Sequence, residues 1–141
     1  AKYQQLIGEA LKANPNDVDL IYNLGVTNVD AGNLTEGAKY YRQVIALKPD
    51  YYNAYINLAD VELKPDANIV KEMNKLTTSD KDMKRYNVLK ADRKKIFDAA
   101  LPLLEKAYEL KPEDETVKTN LLSVYRFLEL DDKAKALKTK M

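Results

Sequence analysis

The sequence predicts an all-α protein built from repeated pairs of antiparallel helices. Pro15 and Pro49 lie 34 residues apart, and the residues between them carry apolar side chains at helical intervals. The composition agrees, because 45% of the residues are hydrophobic, 32% are charged, and only 4 of 141 are Gly and 5 are Pro. Such a composition excludes disordered and fibrous chains. The unit that is repeated is therefore expected to be a helical hairpin.

The first complete unit, residues 17–50, has two apolar stripes separated by a turn. Gly32 can adopt a positive φ after the first helix, and Asn33 can begin the second. Both helices are expected to be amphipathic. The first stripe consists of Leu20, Ile21, Leu24 and Gly25, and the second of Ala38, Tyr41, Val44, Ile45 and Leu47.

This unit resembles a tetratricopeptide repeat. That family places a bulky residue, Leu-Gly, a Gly-Asn or Gly-acid turn, a small residue, an aromatic, a small residue and Pro in a fixed order. Asn28 stands where an aromatic is common, and Val44 stands where Ala is usual. The resemblance implies a right-handed α-α superhelix, a solenoid of stacked helix hairpins. The matching residues are Ile21, Leu24-Gly25, Gly32-Asn33, Gly37, Tyr41, Val44 and Pro49.

The same register divides the remaining chain into a single domain of repeats. In the second unit Tyr55, Leu58 and Ala59 take the places of Ile21, Leu24 and Gly25. The segments LKPD at 47–50 and LKPE at 110–113 both end second helices, whereas LKPD at 63–66 falls near the end of a first helix. The predicted parts are 1–15, the second helix of a truncated repeat; 17–50, a repeat; 51–113, a repeat with an insertion; and 114–141, a C-terminal repeat.

The second unit contains an insertion that is expected to be helical. Pro49 and Pro112 lie 63 residues apart, which is 29 more than one repeat. A structureless loop of that length is improbable in a compact domain. Apolar stripes instead predict helices over about 66–95, which lengthen the hairpin by roughly 20 Å. The stripes consist of Ile69, Met73 and Leu76 on one side, and of Met83, Tyr86, Leu89 and Phe97 on the other.

Three residues mark the ends of these helices. Ser79, or Thr78 beside it, is a suitable N-cap for the returning helix. Pro65 is expected either to break the outgoing helix near 64–66 or to bend it, and the sequence favours neither. Pro102 is expected to bend the returning helix.

The composition also limits the function. The chain has no Cys and no His, so disulfides, thiol chemistry and the usual general base are excluded. No phosphate-binding loop and no metal-ligand spacing is visible. We therefore expect that the protein is not an enzyme and that it needs neither a cofactor nor a metal.

Charge and hydropathy bear on partners. The net charge of +1 argues against a dedicated nucleic-acid or membrane-surface protein. No apolar run approaches the ~18 residues that a membrane span needs. The chain begins at Ala1 inside an apolar-periodic stretch, so we expect it to have been cut from a longer protein. An uncovered helix face at that end is one route to a homodimer. Similar repeat proteins with lengthened hairpins occur among exported bacterial proteins, which favours a bacterial envelope or periplasmic location over the cytoplasm.

The resemblance implies a concave face, lined by first helices, that holds a peptide or a partner protein. Leu63 is a further candidate for this groove. The predicted groove residues are Asp19, Tyr22, Asn23, Val26, Val29 and Asp30 in the first unit, Asn53, Ile56, Asn57 and Asp60 in the second, and Thr116, Thr119, Asn120, Ser123 and Arg126 in the third.

Asn23, Asn57 and Asn120 occupy the same position in successive repeats. A ladder of amides could bond a peptide backbone through both its donors and its acceptors. Alternatively, each Asn bonds a neighbouring helix or faces water. A known variant of the family grips a C-terminal carboxylate with Lys, Asn and Arg, but only Asn57 agrees with that clamp, so such a ligand is not expected.

The inserted arm is basic. Residues 80–95 carry seven Lys and Arg against three Asp, a net charge of +4. This run could meet an acidic partner or phosphates, although such runs are more often solvated faces. The paired tyrosines at 40–41 and 51–52 are interpreted mainly as packing residues.

The leading hypothesis is a non-enzymatic scaffold that binds a protein or peptide in the groove. The alternative is a structural module that self-associates through the extended hairpin or the open ends of the stack. A binder of anions or nucleic acid through the arm is a third reading, and no nucleic-acid partner is expected.

Overall fold

The structure is a computed structural model that describes residues 2–141, and within that range every regular element is an α-helix. The predicted all-α class is therefore confirmed. The chain divides into two compact units, one extending to Val61 and the other beginning at Glu62. The helices are α1 (Lys2–Ala13), α2 (Val18–Asp30), α3 (Leu34–Leu47), α4 (Tyr52–Leu63), α5 (Asp66–Met73), α6 (Asp80–Leu110), α7 (Glu115–Phe127) and α8 (Asp131–Lys138).

The hairpin of α2 and α3 begins and turns as its sequence predicts. The carboxylate of Asp17 accepts a hydrogen bond from the Leu20 N–H at 3.2 Å and so caps α2. At the other end Gly32 has φ +88°, and the N–H of Asn33 donates to the carbonyl of Asn28 at 2.8 Å. This pairing satisfies carbonyls that the last turn of α2 would leave without partners. The predicted turn at Gly32 is confirmed.

Two glycines allow α2 and α3 to approach closely. A Cβ atom at Gly25 would lie 2.7 Å from Cε1 of Tyr41, and one at Gly37 would overlap Cγ2 of Val29. The Tyr41 ring is 2% exposed and fills the space beside Gly25. The small residues of the repeat pattern are thus required by the packing between the two helices.

The core of the compact unit that ends at Val61 is formed by the predicted stripes with the exception of Leu47, which lies at the end of α3 and is 44% exposed. Val44 and Ala54 are fully buried, and Ile21 lies against them. Asn28, which stands at an aromatic position of the pattern, is buried, and its Nδ2 donates to the Leu24 carbonyl at 2.8 Å. The amide is therefore satisfied within its own helix and imposes no unpaired polar group on the core. Partly buried side chains around this core are Leu11, Val18, Tyr22, Tyr40, Ile45 and Tyr51.

The helix α4 ends just before Pro65 instead of bending smoothly through it. The helix α4 ends at Leu63, and Pro65, with φ −64°, stands immediately before α5. Proline has no N–H and its ring clashes with the carbonyl four residues earlier, which costs a helix interior about 3 kcal/mol, and α4 ends before this residue. Of the two outcomes that the sequence left open, the break is the one observed.

The helix α6 runs without interruption for 31 residues, through Pro102. At 1.5 Å per residue this is about 46 Å. Ser79 caps α6 by accepting a hydrogen bond from the Asp82 N–H at 3.3 Å, as predicted. The Thr77 N–H and hydroxyl both donate to Asp82 at 2.8 Å, and these hydrogen bonds lower the pKa of that carboxyl group. A bend at Pro102 stays a prediction.

The inserted residues 66–96, hereafter the arm, are a pair of antiparallel helices. Asp66 near the start of α5 bonds Arg93, and Glu72 near its end bonds Arg85, so residue numbers rise along α5 as they fall along α6. Leu89 lies between these pairs and is buried. The insertion is therefore helical, as its apolar pattern indicates.

The predicted apolar stripe of α6 is only partly correct. Leu89 and Phe97 are buried, but Met83 and Tyr86 are exposed, at 44% and 37%. At 100° per residue Tyr86 lies about 60° and Met83 about 120° around the helix from Leu89. The helix α5 packs on the side of α6 that carries Leu89 and ends at Met73. It therefore leaves Met83 and Tyr86 uncovered.

The hairpin of α7 and α8 repeats the turn of α2 and α3 with a different residue. Asp114 caps α7 by accepting from the N–H groups of Thr116 and Val117. After α7 the Leu130 N–H donates to the Tyr125 carbonyl at 2.8 Å, the bond that Asn33 makes in the first hairpin. Glu129 takes the place of Gly32 and has φ +58°, and no other non-glycine residue among the described ones has a positive φ. The position of the repeat boundaries and the single-domain assignment stay predictions.

Glu129→Gly is expected to raise the free energy of unfolding by about 0.5–1 kcal/mol. A left-handed conformation costs a residue with a Cβ atom about 1–2 kcal/mol, and removing it outweighs the added entropy of glycine in the unfolded chain. Urea unfolding with an unchanged m-value would measure the gain. Glu113→Gly is the matched control, since Glu113 lies in the turn before α7 with an ordinary φ and should lose stability. Equal losses in both variants would contradict the assignment of strain to Glu129.

Candidate functional site

The fifteen predicted groove residues are all accessible to solvent, and they lie on α2, α4 and α7. None of them is buried. Ten belong to the unit that ends at Val61 and five to the unit that begins at Glu62. The exposed ones are Asp19, Asn23, Asp30, Asn53, Asp60, Thr116, Thr119, Ser123 and Arg126, and the half-buried ones are Tyr22, Val26, Val29, Ile56, Asn57 and Asn120.

In the compact unit that ends at Val61, a polar pair joins α2 and α4. The amide Nδ2 of Asn57 donates to the hydroxyl oxygen of Tyr22 at 2.7 Å. The Tyr22 oxygen is therefore an acceptor in this bond, and its hydrogen stays available to a further acceptor. The carbonyl oxygen of the Asn57 side chain is likewise available to a donor. The pair thus presents one donor and one acceptor side by side, which is the pattern of a peptide group.

Aromatic rings surround this pair. The rings of Tyr22 and Tyr51 lie with centroids 5.0 Å apart, and those of Tyr22 and Tyr41 lie 5.8 Å apart. The Tyr51 hydroxyl donates to the carboxylate of Asp19 at 3.1 Å, which links α2 to the residue before α4. We call Tyr22, Tyr41 and Tyr51 the tyrosine cluster. It gives the polar pair a rigid apolar surround.

The tyrosine hydroxyls stay protonated in neutral solution. Burial raises the pKa of Tyr41 to about 12. Burial, followed by the hydrogen bond to Asp19, raises the pKa of Tyr51 to about 12. Burial also raises the pKa of Tyr22, an effect that the Asn57 amide partly opposes. Each hydroxyl therefore keeps its hydrogen for donation.

The amide ladder has a different environment at each step. Asn57 bonds a neighbouring helix through its side-chain N–H group, which is the structural alternative for this position, and this bond leaves its side-chain oxygen as an acceptor. Asn23 is exposed. Asn120 is half-buried and lies at the edge of a cleft in the compact unit that begins at Glu62. The three amides are thus accessible but not equivalent.

That cleft has a volume of about 270 Å³. Two predicted groove residues, Asn120 and Ser123, line it together with Leu63. The Ser123 hydroxyl donates to the Thr119 carbonyl at 3.2 Å, so its oxygen can still accept. The other lining residues are Asp66, Arg93, Phe97 and Val124.

The arm contributes a fixed ion pair to this cleft, which sequence reasoning missed. Nε of Arg93 lies 2.6 Å from Oδ1 of Asp66, and Nη2 lies 3.2 Å from Oδ2. The guanidinium also lies over the rings of Phe127, at 4.6 Å, and Phe97, at 5.2 Å. Since the two charges neutralise each other, the cleft suits an uncharged segment better than a free carboxylate. If the two helices of the arm are aligned as an antiparallel pair, Arg93 comes opposite Asp66. This alignment is the signal from which the ion pair could have been predicted.

In residues 2–141 no group of three or more acidic, His or Cys side chains is arranged to hold a metal ion. No helix in that range is both long and apolar enough to span a membrane.

Comparison with known proteins agrees with the helical repeat. Residues 4–52 and 22–64 match the family model of the tetratricopeptide repeat. The crystal structure of a thermophilic tetratricopeptide-repeat protein from Thermus thermophilus has a TM-score of 0.58 and 22% sequence identity. The match covers 97% of this chain and 61% of that one. At this identity it shows the fold alone.

Other matches are weaker. A MamA crystal structure matches with a TM-score of 0.42 and 19% identity, over 97% of this chain and 78% of that one. A MamA RS-1 double mutant has a TM-score of 0.46 and 16% identity, over 99% and 81% of the two chains. No curated protein matches this chain significantly.

The fold and the matched repeats together define a protein built from helical hairpins of the tetratricopeptide type. This chain carries tetratricopeptide repeats over residues 4–64, and its fold is similar to that of a solved tetratricopeptide-repeat protein. Proteins built from such repeats are in general non-enzymatic scaffolds for protein–protein interaction.

Proposed function

We propose that this protein is a non-enzymatic scaffold that binds an extended peptide segment of a partner protein. The Asn57–Tyr22 pair carries the proposal, because it offers an acceptor and a donor at the surface between α2 and α4. A peptide bond in the ligand would receive a hydrogen bond from the Tyr22 hydroxyl and give one to the Asn57 carbonyl oxygen. The tyrosine cluster would pack against the ligand side chains.

The cleft beside α7 supports a second contact of the same kind. Asn120 and Ser123 supply polar groups, while Leu63, Phe97 and Val124 supply apolar surface. The Asp66–Arg93 pair adds no net charge. We therefore expect a ligand segment with uncharged polar and apolar side chains at this position.

Self-association is the second candidate, and exposed apolar side chains on α1 support it. Tyr3 and Leu6 are 57% and 55% exposed. Sedimentation velocity over a range of concentrations would separate the two candidates. A dimer that forms without any peptide, and that Leu6→Glu abolishes, would favour self-association through α1.

Peptides selected from a phage-displayed library of random dodecapeptides provide the test of peptide binding. In fluorescence anisotropy we expect Tyr22→Phe and Asn57→Ala each to weaken a selected peptide by about fivefold, the value of one hydrogen bond. The matched controls are Tyr40→Phe, a half-buried tyrosine on α3, and Asn68→Ala, an exposed amide on α5 outside the predicted groove. Unchanged binding in Tyr22→Phe and Asn57→Ala would refute the proposal.

A further inference from the structure

A second cleft lies between α6 and the turn that joins α7 to α8. Its volume is about 320 Å³, and it shares no lining residue with the predicted groove. Its floor is apolar and is made by Phe127 and Leu128, both half-buried, with Ala91. The remaining lining residues are Asn87, Lys90, Lys94 and Glu129.

The rim of this cleft is mainly cationic. Lys94 is paired with Asp98 at 2.8 Å, but its side chain is still 66% exposed. Lys90 is exposed and, among the described residues, makes no ion pair. The cleft therefore combines an apolar floor with two exposed ammonium groups, one of which lacks a carboxylate partner among the described residues.

The cleft continues into an exposed helix face that also combines apolar and cationic side chains. We call the side of α6 that faces away from α5 the outer face; it carries Met83, Lys84, Asn87, Lys90, Ala91 and Lys94, all exposed. Their spacing of three to four residues places them on one side of the helix. Arg85 and Arg93 lie on the opposite side, where Glu72 and Asp66 neutralise them. The outer face thus presents three exposed lysines, and among the described residues only Lys94 has a carboxylate partner.

We propose that the outer face binds an acidic segment of a partner protein, which inserts one apolar side chain into the cleft over Phe127 and Leu128. Carboxylates on either side of that anchor would meet Lys84, Lys90 and Lys94. The cleft lies at the low end of the ~300–1,000 Å³ typical of ligand sites, which suits a single side chain. This site is independent of the peptide surface proposed on α2 and α4.

The surroundings favour an acidic protein over a nucleic acid. Binding of single strands relies on several aromatic side chains on which bases stack. Tyr86 is the sole aromatic residue between 80 and 95. The apolar floor at Phe127 and Leu128 would stay unused by a phosphate backbone, whereas a Leu or Phe side chain fills it.

A labelled twelve-residue peptide of glutamates with a central Leu-Phe pair is a suitable probe for the whole chain. Fluorescence anisotropy measures its affinity, and amide chemical shifts locate it. We expect shifts at residues 87–94 and 127–129. The same peptide with Ala-Ala at its centre should bind about tenfold more weakly, because the anchor is lost.

Matched variants separate the cleft from general attraction. Lys90→Glu should weaken the probe about five- to tenfold. Lys95→Glu makes the same charge change at a lysine that does not line the cleft and lies about 140° around the helix from Lys90, so it should weaken the probe less than threefold. Ala91→Leu fills the cleft without changing charge and should weaken binding at least fivefold. Ala99→Leu, at another exposed alanine of α6, should leave binding unchanged.

Four results would overturn the inference. They are equal losses in Lys90→Glu and Lys95→Glu, no binding of the probe at millimolar concentration, shifts confined to α2 and α4, or complete competition by poly(U). The test is separate from that of the proposed function, because Tyr22→Phe and Asn57→Ala should leave binding of this probe unchanged. Loss of binding in only one of the two variant sets therefore identifies which proposal fails.

Discussion

Replacing Tyr41 with alanine is expected to lower the free energy of unfolding by about 3–4 kcal/mol, since truncation of a buried aromatic ring typically costs about 3–5 kcal/mol. The ring is 2% exposed and lies against Gly25, so the cavity would open between α2 and α3. Neighbouring helices cannot close this gap without leaving the contact that Gly25 and Gly37 permit. Urea unfolding followed by circular dichroism gives the measurement.

Two control variants show whether the ring itself carries this stability. Tyr41→Phe keeps the ring and should cost no more than about 1 kcal/mol, the value of a hydroxyl hydrogen bond. Tyr40→Ala removes a half-buried ring from the adjacent position and should cost clearly less than Tyr41→Ala. A loss below 1 kcal/mol in Tyr41→Ala would contradict the packing described here.

Replacing Arg93 with methionine is expected to lower the free energy of unfolding by about 1–3 kcal/mol. Removing one partner of a fully buried ion pair costs about 3–5 kcal/mol, and the pair here is partly solvated, with side chains 22% and 20% exposed. The variant leaves Asp66 without its bidentate partner and removes the cation from the rings of Phe97 and Phe127. Amide hydrogens of α5 should exchange faster, because this ion pair fixes the start of α5 to α6.

The second ion pair of the arm is the control. Arg85 and Glu72 have similar bidentate geometry, but their side chains are 50% and 43% exposed. Solvent screens a pair that is this exposed, so Arg85→Met should lower the free energy of unfolding much less than Arg93→Met. In a double-mutant cycle, Arg93→Met and Asp66→Asn should together lower the free energy of unfolding by less than the sum of their separate effects. Equal losses in Arg93→Met and Arg85→Met would show that burial of the pair does not matter.

Much of the fold follows from residues that obey local rules. Gly32 predicts the turn between α2 and α3, and Ser79 predicts the start of α6, because each acts through its own backbone or the next turn. The spacing of the prolines predicts the repeat, since identical hairpins need identical boundaries. Features of this kind depend on neighbours in sequence and can be derived without coordinates.

Other features depend on which helix covers which face. Met83 and Tyr86 follow the apolar period of α6 yet are exposed, because α5 covers only the Leu89 side. Glu129 occupies a position that favours glycine, and nothing in its immediate sequence indicates a positive φ. Pro65 is compatible with a bend or a break, and only the structure shows that α4 ends at Leu63 and a new helix begins at Asp66.

The candidate sites divide in the same way. Repeat register predicts that Tyr22 and Asn57 are accessible, but not that they bond each other across two helices. Asp66 and Arg93 are 27 residues apart, and only the antiparallel register of the arm brings them together. The cleft at Phe127 and Leu128 requires the end of α7 to lie beside α6, which no local pattern indicates.

The continuity of α6 also limits how the arm can vary in length during evolution. No joint separates the arm from the part of α6 that reaches Leu110, so a residue inserted next to Ile96 would rotate the whole outer face by about 100°. Insertions of seven or eleven residues change that angle by only about 20°, and changes in the tip at 74–79 leave it unaltered. Natural variants with longer or shorter arms should therefore differ at the tip or in steps that preserve helical phase.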